Sequence, residues 1–351
     1  MIIVNARFLS QPVTGVQRFA LEISKILKQK LKNKVFFVTS PGVIHHELAN
    51  ELDAKVIGVN KSHLWEQLDL YAYILRKNKP LLISFGYTGP LFYKNQIISV
   101  HDVAFIYYRE TFSKAFGFIY NFLVPKISKK CLHVLTVSES VKKEVCKELD
   151  LPVSKVTVIY NGISGIFKNK NKTRKSKKLN KPYILTVSSH HPRKNYERLI
   201  EAFHKVNNDT IELYIIGNFV GHFSDNIKTN EDKRIHFLTQ ISDEQLVEYY
   251  KGAELFVFPS LYEGFGIPII EAMSQNLPCV ISDIPVFREI GDDSVIYVNP
   301  KNTNSIAQGI EKGLKLNRKI NDYPKIDNFS WEKSANKVIE LLSKYHDLQN
   351  E

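Results

Sequence analysis

Short apolar runs alternate with longer stretches whose apolar positions recur every three or four residues, along nearly the whole chain. Such alternation predicts βαβ units and parallel sheets. In the first half, strands are predicted at residues 2–4, 35–38, 81–84, 97–100, 134–137 and 156–160. Between them, Val16, Phe19, Ala20, Ile23, Ile26 and Leu27 recur at helical spacing within residues 15–31, and residues 64–75 and 113–128 read as further helices. Asn161-Gly162, a turn dipeptide, interrupts the pattern. A second series of strands is predicted at residues 183–187, 211–216, 235–238, 255–258, 279–282 and 295–298, with a closing amphipathic helix over 331–345. The layout predicts an α/β chain of two Rossmann-like, doubly wound domains facing a central cleft. The C-terminal ends of the strands would meet a ligand there.

Length agrees, since 351 residues exceed what one core usually supports. The expected division is an N-terminal domain over 1–162, a basic linker over 163–181, a second domain over 182–328, and a C-terminal helix, 329–351, returning toward the first domain. The N-terminus lacks the basic-then-apolar layout of a signal peptide, and the apolar stretch 116–124 is too short to cross a bilayer. Cys131, Cys146 and Cys279 are odd in number and lack metal-ligand spacing, which fits a reduced cytoplasm. The net charge of +12 looks at first like a nucleic-acid signal, but residues 168–181 hold eight Lys or Arg and no acid, and without them the charge is +4. Such a run is either a solvated segment or one attracted to the anionic inner face of the cytoplasmic membrane. No nucleic-acid-binding module accompanies it.

The candidate chemistry is densest at residues 258–272. An apolar strand ends at Pro259, a loop holds Glu263, Gly264, Phe265 and Gly266, and Ile267-Pro268 suits the first turn of a helix. The glycines let backbone N–H groups approach a ligand, and a helix start adds unpaired donors and a positive dipole end. Together these make an anion site suited to a diphosphate. Glu263 in the loop and Glu271 about one turn inside the helix would face different parts of one ligand.

Glu263, seven residues and Glu271, with the Gly-Phe-Gly-Ile-Pro insert and the Glu-Ala-Met continuation, resemble retaining glycosyltransferases of family 4, which have the GT-B fold. Pro192-Arg193-Lys194-Asn195 resembles that family's phosphate-binding segment; a lysine at a helix start is a point-charge clamp for a leaving diphosphate. Many members carry Gly-Arg where this chain has Ser188-Ser189, so Arg193 is the cation left to supply that charge. Thr239-Gln240-Ile241 resembles the loop under the nucleotide base, with Thr239 in place of the usual glycine; Ser242 as a helix cap also accounts for the segment. Gly15 matches the first-domain glycine turn that meets the donor. Arg18 reads equally as an acceptor contact or a surface arginine. His101 stands where the family has a functional histidine near donor sugar and acceptor, and Asp102 is placed to orient it. Trp65-Glu66-Gln67 and Thr88-Gly89-Pro90-Leu91 resemble a subgroup found in bacterial surface-polysaccharide assembly, often with mannose donors.

The resemblance implies a retaining, metal-independent hexosyltransferase with an acceptor-side first domain and a nucleotide-sugar-binding second domain. Expected catalytic residues are Glu263, His101 and Lys194. Gly15, Arg193, Lys194, Gly264, Phe265, Gly266 and Ile267 would bind the diphosphate and sugar, Glu271 the ribose, Thr239, Gln240 and Ile241 the base. Arg18 and Asp102 would lie toward the acceptor. The donor is a substrate, GDP-mannose being favoured, with no cofactor; the acceptor is a lipid-linked glycan. The rivals are a nucleotide-sugar epimerase or phosphorylase of the same fold, and a sugar- or polyanion-binding protein. Residues 116–130, aromatic with Lys126, Lys129 and Lys130, read either as a packed helix or as one resting on a membrane near such an acceptor.

Overall fold

The computed structural model describes residues 1–168, 181–217, 232–316 and 323–347. Apart from its ends, the basic run 168–181 lies outside the described residues. The chain divides into two compact units, Met1–Asn161 with Ser330–Glu351, and Gly162–Phe329.

The first unit is built on β1 (Ile2–Asn5), β2 (Val35–Thr39), β3 (Lys55–Val56), β4 (Leu81–Ser84), β5 (Gln96–Ser99), β6 (His133–Thr136) and β7 (Val156–Val158). They form one parallel sheet in the order β3-β2-β1-β4-β5-β6-β7. Every residue of β1, β4, β5 and β6 is buried, as expected of strands covered on both faces. The sequence places β5 and β6 one residue too late because each begins at a buried polar residue. Gln96 Nε2 donates to the Pro90 carbonyl at 2.8 Å, and His133 Nε2 lies 2.8 Å from Thr157 Oγ1. β3 has no sequence signal: it is two exposed residues at the sheet edge.

The helix Gly15–Leu31 follows β1 after a 3₁₀ turn, and it buries Phe19, Ala20, Ile23 and Leu27, the residues at helical spacing. The helical stretch expected at 64–75 runs over residues 62–76, with a wide π turn at Glu66–Leu70. In the helix Lys114–Lys130, Ser113 caps the start by accepting from Phe116 N at 3.3 Å. The closing helix Trp331–Asp347 packs on Gly15–Leu31. Trp331 meets Phe19 edge-on, Ser334 Oγ donates to the Tyr160 carbonyl at 2.6 Å, and Lys30 pairs with Glu332.

The second unit has β8 (Tyr183–Val187), β9 (Glu212–Ile216), β10 (Ile235–Leu238), β11 (Leu255–Phe258), β12 (Cys279–Ser282) and β13 (Ile296–Val298). Its sheet is again all parallel, in the order β10-β9-β8-β11-β12-β13. Leu213, Val257 and Val280 pack there with Leu199 and Phe203 of the helix Tyr196–Lys205 and Ile306 and Ile310 of the helix Thr303–Leu314. The two ends of this unit meet where Ile163 N donates to the Phe329 carbonyl at 3.1 Å. In both sheets the strand order reverses beside the first strand, between β1 and β4 and between β8 and β11. Loops leaving the C-terminal ends of those strands line the crevice where doubly wound sheets take ligands.

Candidate functional site

At the β8/β11 reversal, two loops are stitched together. After β8, Pro192–Lys194 forms one 3₁₀ turn and Asn195 takes the left-handed conformation, φ 63° and ψ 35°. Lys194 therefore precedes the helix Tyr196–Lys205 rather than opening it, which corrects the expected helix start by two residues. Asn195 is buried, and its Nδ2 donates to the carbonyls of Pro259 at 2.9 Å and Pro300 at 2.7 Å. Asparagine is among the few residues that tolerate this conformation, so one side chain both turns the chain and anchors it to the loop after β11. Leu261 N donates to the Arg193 carbonyl at 2.7 Å, completing the join.

This join brings Lys194 Nζ to 2.5 Å from Glu263 Oε1, with the two side chains only 13% and 12% exposed. Burial pushes the Glu263 carboxyl up, but the Lys194 and Arg193 charges and the bond from Lys194 outweigh it and hold it below the usual carboxylate range. Glu263 is thus an anion facing two cations in a site of low water access, where charge interactions are strong.

Gly266 then caps the helix Ile267–Ser274 with no side-chain bond of its own; Pro268 has no N–H and Ile269 N donates to the Gly266 carbonyl at 2.9 Å, which leaves the Ile267 N–H of the first turn for a ligand. Its φ is +130°, and an added Cβ would stand 2.9 Å from Ile269 Cδ1 and 3.1 Å from Phe287 Cε1. Gly266→Ala should therefore cost about 1–3 kcal/mol through backbone strain. Urea unfolding measures this, and an unchanged midpoint would contradict the tightness of the turn.

Glu271, about one turn into that helix, is buried, and its Oε2 accepts from Tyr250 Oη at 3.0 Å. Burial first, and then the Glu271 charge, push the Tyr250 phenol well above its ordinary range, so it stays protonated and donates. Thr239, Gln240 and Ile241 follow the edge strand β10, with Gln240 left-handed at φ 56°. The helix Asp243–Gly252 begins in a capping box of Ser242 and Gln245. The base-loop candidates are therefore at the sheet edge, two strands from β8, while Arg193, Lys194, Glu263 and Gly264–Ile267 gather at its centre.

In the first unit, His101 is buried against Phe19, with ring centroids 4.9 Å apart, and its Nε2 lies 2.7 Å from the Phe85 carbonyl. A carbonyl can only accept, so Nε2 carries the proton and Nδ1 is left as the acceptor. Burial lowers the imidazole pKa, against the Phe85 bond and the Asp102 charge, and keeps the ring neutral. Asp102 Oδ1 accepts from Ala104 N at 3.0 Å, so it shapes the turn after His101 as well as adding charge. Gly15 opens its helix and Arg18 lies one turn on, half-buried.

Sequence reasoning missed the densest polar cluster of this unit, at the β1/β4 reversal. Arg7 Nε donates to Glu66 Oε1 at 3.0 Å, Asn5 Nδ2 to the same oxygen at 2.9 Å, and Thr88 Oγ1 to Glu66 Oε2 at 2.7 Å. His63 Nδ1 lies 3.2 Å from Glu66 Oε2. The cluster unites the two subgroup motifs, since Gln67 also bonds the Gly89 carbonyl and Leu91 N. Burial raises the Glu66 carboxyl, but Arg7, His63 and Thr88 together hold it down at about 2. An Asn or Thr before a turn hints at such roles; nothing local in the sequence pairs Arg7 with Glu66. Asn5, Arg7, Gln11, Gln17 and Glu66 line a pocket there. Among the described residues, no set of three or more His, Cys, Asp or Glu gathers as metal ligands.

Two doubly wound parallel sheets, the second holding a lysine–carboxylate pair beside a glycine-capped helix start, define the GT-B class. Residues 13–164 match the family described as Glycosyltransferase Family 4, and residues 167–330 that described as Glycosyl transferases group 1. The chain is 31% identical to the O-antigen chain mannosyltransferase RfbU of Salmonella typhimurium, with 92% of this chain and 94% of that protein covered. It is 24% identical to O-antigen chain mannosyltransferase B of Escherichia coli, over 96% and 98% of the two chains. The crystal structure of a glycosyltransferase from Rickettsia africae shares the fold, with a TM-score of 0.75 at 18% identity over 98% of each chain. This chain belongs to the group 1, family 4 glycosyltransferases.

Proposed function

We propose that the chain moves a hexose, mannose, from GDP-mannose to a hydroxyl of a lipid-linked glycan during assembly of a bacterial surface polysaccharide, with retention at the anomeric carbon. The observation that carries this reading is the Lys194–Glu263 pair beside the open helix start at Gly266. The names of the two mannosyltransferases above support the sugar and the pathway class.

As the bond to the diphosphate breaks, negative charge grows on the leaving phosphate and positive charge on the sugar ring. Lys194, Arg193, the Ile267 N–H and the helix dipole after Gly266 stabilise the former, so the reading needs no metal. Glu263 holds the sugar and balances the latter. Glu271, held in place by the Tyr250 donor, accepts from the ribose hydroxyls. The leaving phosphate takes the acceptor's proton, and the first unit, with His101 as a neutral imidazole, supplies the acceptor side.

The test is a thermal-shift screen of guanosine-, uridine- and thymidine-diphosphate sugars, followed by transfer assays and NMR of the product anomer. GDP-mannose should give the largest shift, and the product should keep the donor's anomeric configuration. Donor conversion without any acceptor would point to an epimerase, and dependence on free phosphate to a phosphorylase. Either would overturn the proposal.

A further inference from the structure

The helix Lys114–Lys130 buries Gly117, Leu123, Val124, Ile127 and Ser128 and turns another row outward. Lys114, Phe118, Phe122, Lys126 and Lys130 are spaced by four, so they lie along one ridge, and all five are exposed. Phe118 is 68% and Phe122 44% exposed, stacked on each other with centroids 6.3 Å apart. The Lys126 ammonium stands 3.5 Å over the Phe122 ring. At the far end Lys130 stands 5.4 Å from the centre of the Phe92 ring, itself 71% exposed on the turn after β4. The helix carries four lysines and no acid. Among the described residues, the exposed phenylalanines are Phe36, Phe92, Phe118 and Phe122, and all but Phe36 lie on this face.

Exposed aromatic rings interleaved with lysines have a particular use. Rings settle at the headgroup level of a bilayer, and lysines on their flexible stems reach lipid phosphates while their methylenes stay apolar. A second copy of the chain is a poor occupant, because a two-fold contact would set this lysine row against itself. We infer that the Phe118–Lys130 ridge with Phe92 is a docking face for an anionic phospholipid surface. The helix lies flat on that surface; no described helix is long and apolar enough to cross it. A lipid-linked acceptor, as proposed above, is what such a contact would serve.

The experiment is co-sedimentation of the full chain with vesicles of phosphatidylglycerol and phosphatidylcholine, and with phosphatidylcholine alone. Mixed vesicles should pellet the wild type at low salt and release it at high salt, and phosphatidylcholine alone should leave it in solution. Phe118→Ser with Phe122→Ser, and separately Lys126→Glu with Lys130→Glu, should each weaken binding at least about tenfold. Sugar transfer to a soluble acceptor should stay within about twofold of wild type in both variants, since these side chains touch neither site described above. Equal partition onto both vesicle types, wild-type binding by both variants, or a wild-type dimer that the variants disperse would each overturn the inference. Vesicle binding is measured without any sugar, so it and the proposed transfer reaction can fail separately.

Discussion

Glu263→Gln should lower sugar transfer by about a hundred- to a thousandfold while nucleoside diphosphate binds at least as tightly as before. The Lys194 ammonium has the Glu263 carboxylate as its partner, at 2.5 Å and largely out of water. A diphosphate competes for that same ammonium. Removing the carboxylate's charge leaves Lys194 free for the phosphate, so the product nucleotide loses a competitor. The transition state meanwhile loses the anion that balances the sugar's developing positive charge, an interaction that matters only at that stage. Calorimetry with nucleoside diphosphate and steady-state transfer rates separate the two effects. Parallel weakening of both would mean that Glu263 merely props up the loop. Lys194→Met, by contrast, should weaken nucleotide binding and transfer together.

The second large effect lies in the other unit. Glu66→Gln should destabilise the first unit by about 3–5 kcal/mol, because it leaves the buried Arg7 guanidinium without its countercharge. Arg7 and Glu66 are 9% and 1% exposed, so water cannot substitute. The pH dependence gives an independent measure. The Glu66 carboxyl is held near 2 in the folded chain against an ordinary value of 4.5. A depressed carboxylate contributes stability fully present above the ordinary value and lost as pH falls from there toward the folded one. A shift of this size corresponds to roughly 3 kcal/mol. The stability gap between wild type and Glu66→Gln, measured in urea, should hold steady from pH 7 to about pH 5 and narrow below pH 4.5. A gap that does not change with pH would rule out the ion pair as its origin.

How visible these two sites were beforehand differs for a physical reason. Glu263, Gly264, Gly266 and Pro268 stand within a few residues of one another, and a strand, a glycine loop and a helix start are local structures with local residue preferences. Their chemistry could be read in order along the chain. The Glu66 cluster joins residues 59 and 22 positions apart in sequence, Arg7 and Thr88. Charged residues are exposed by default, so no pattern distinguishes the few that fold into a buried pair. Likewise Tyr250, 21 positions before Glu271, looks like one more aromatic of an amphipathic helix until the packing sets its hydroxyl on the carboxylate.

Period and punctuation in the sequence were enough for the two-sheet α/β layout, most strand and helix positions and the glycine-rich helix start, because each depends on neighbours a turn or a pleat away. Strand order, the wide turn at Glu66–Leu70, the left-handed Asn195 that ties Pro192–Lys194 to the loop after β11, and the partners of Lys194, Glu271 and Glu66 emerged only in the folded chain. These depend on which distant segments share a sheet end. There burial removes water, so each charge or donor must find its partner within the protein.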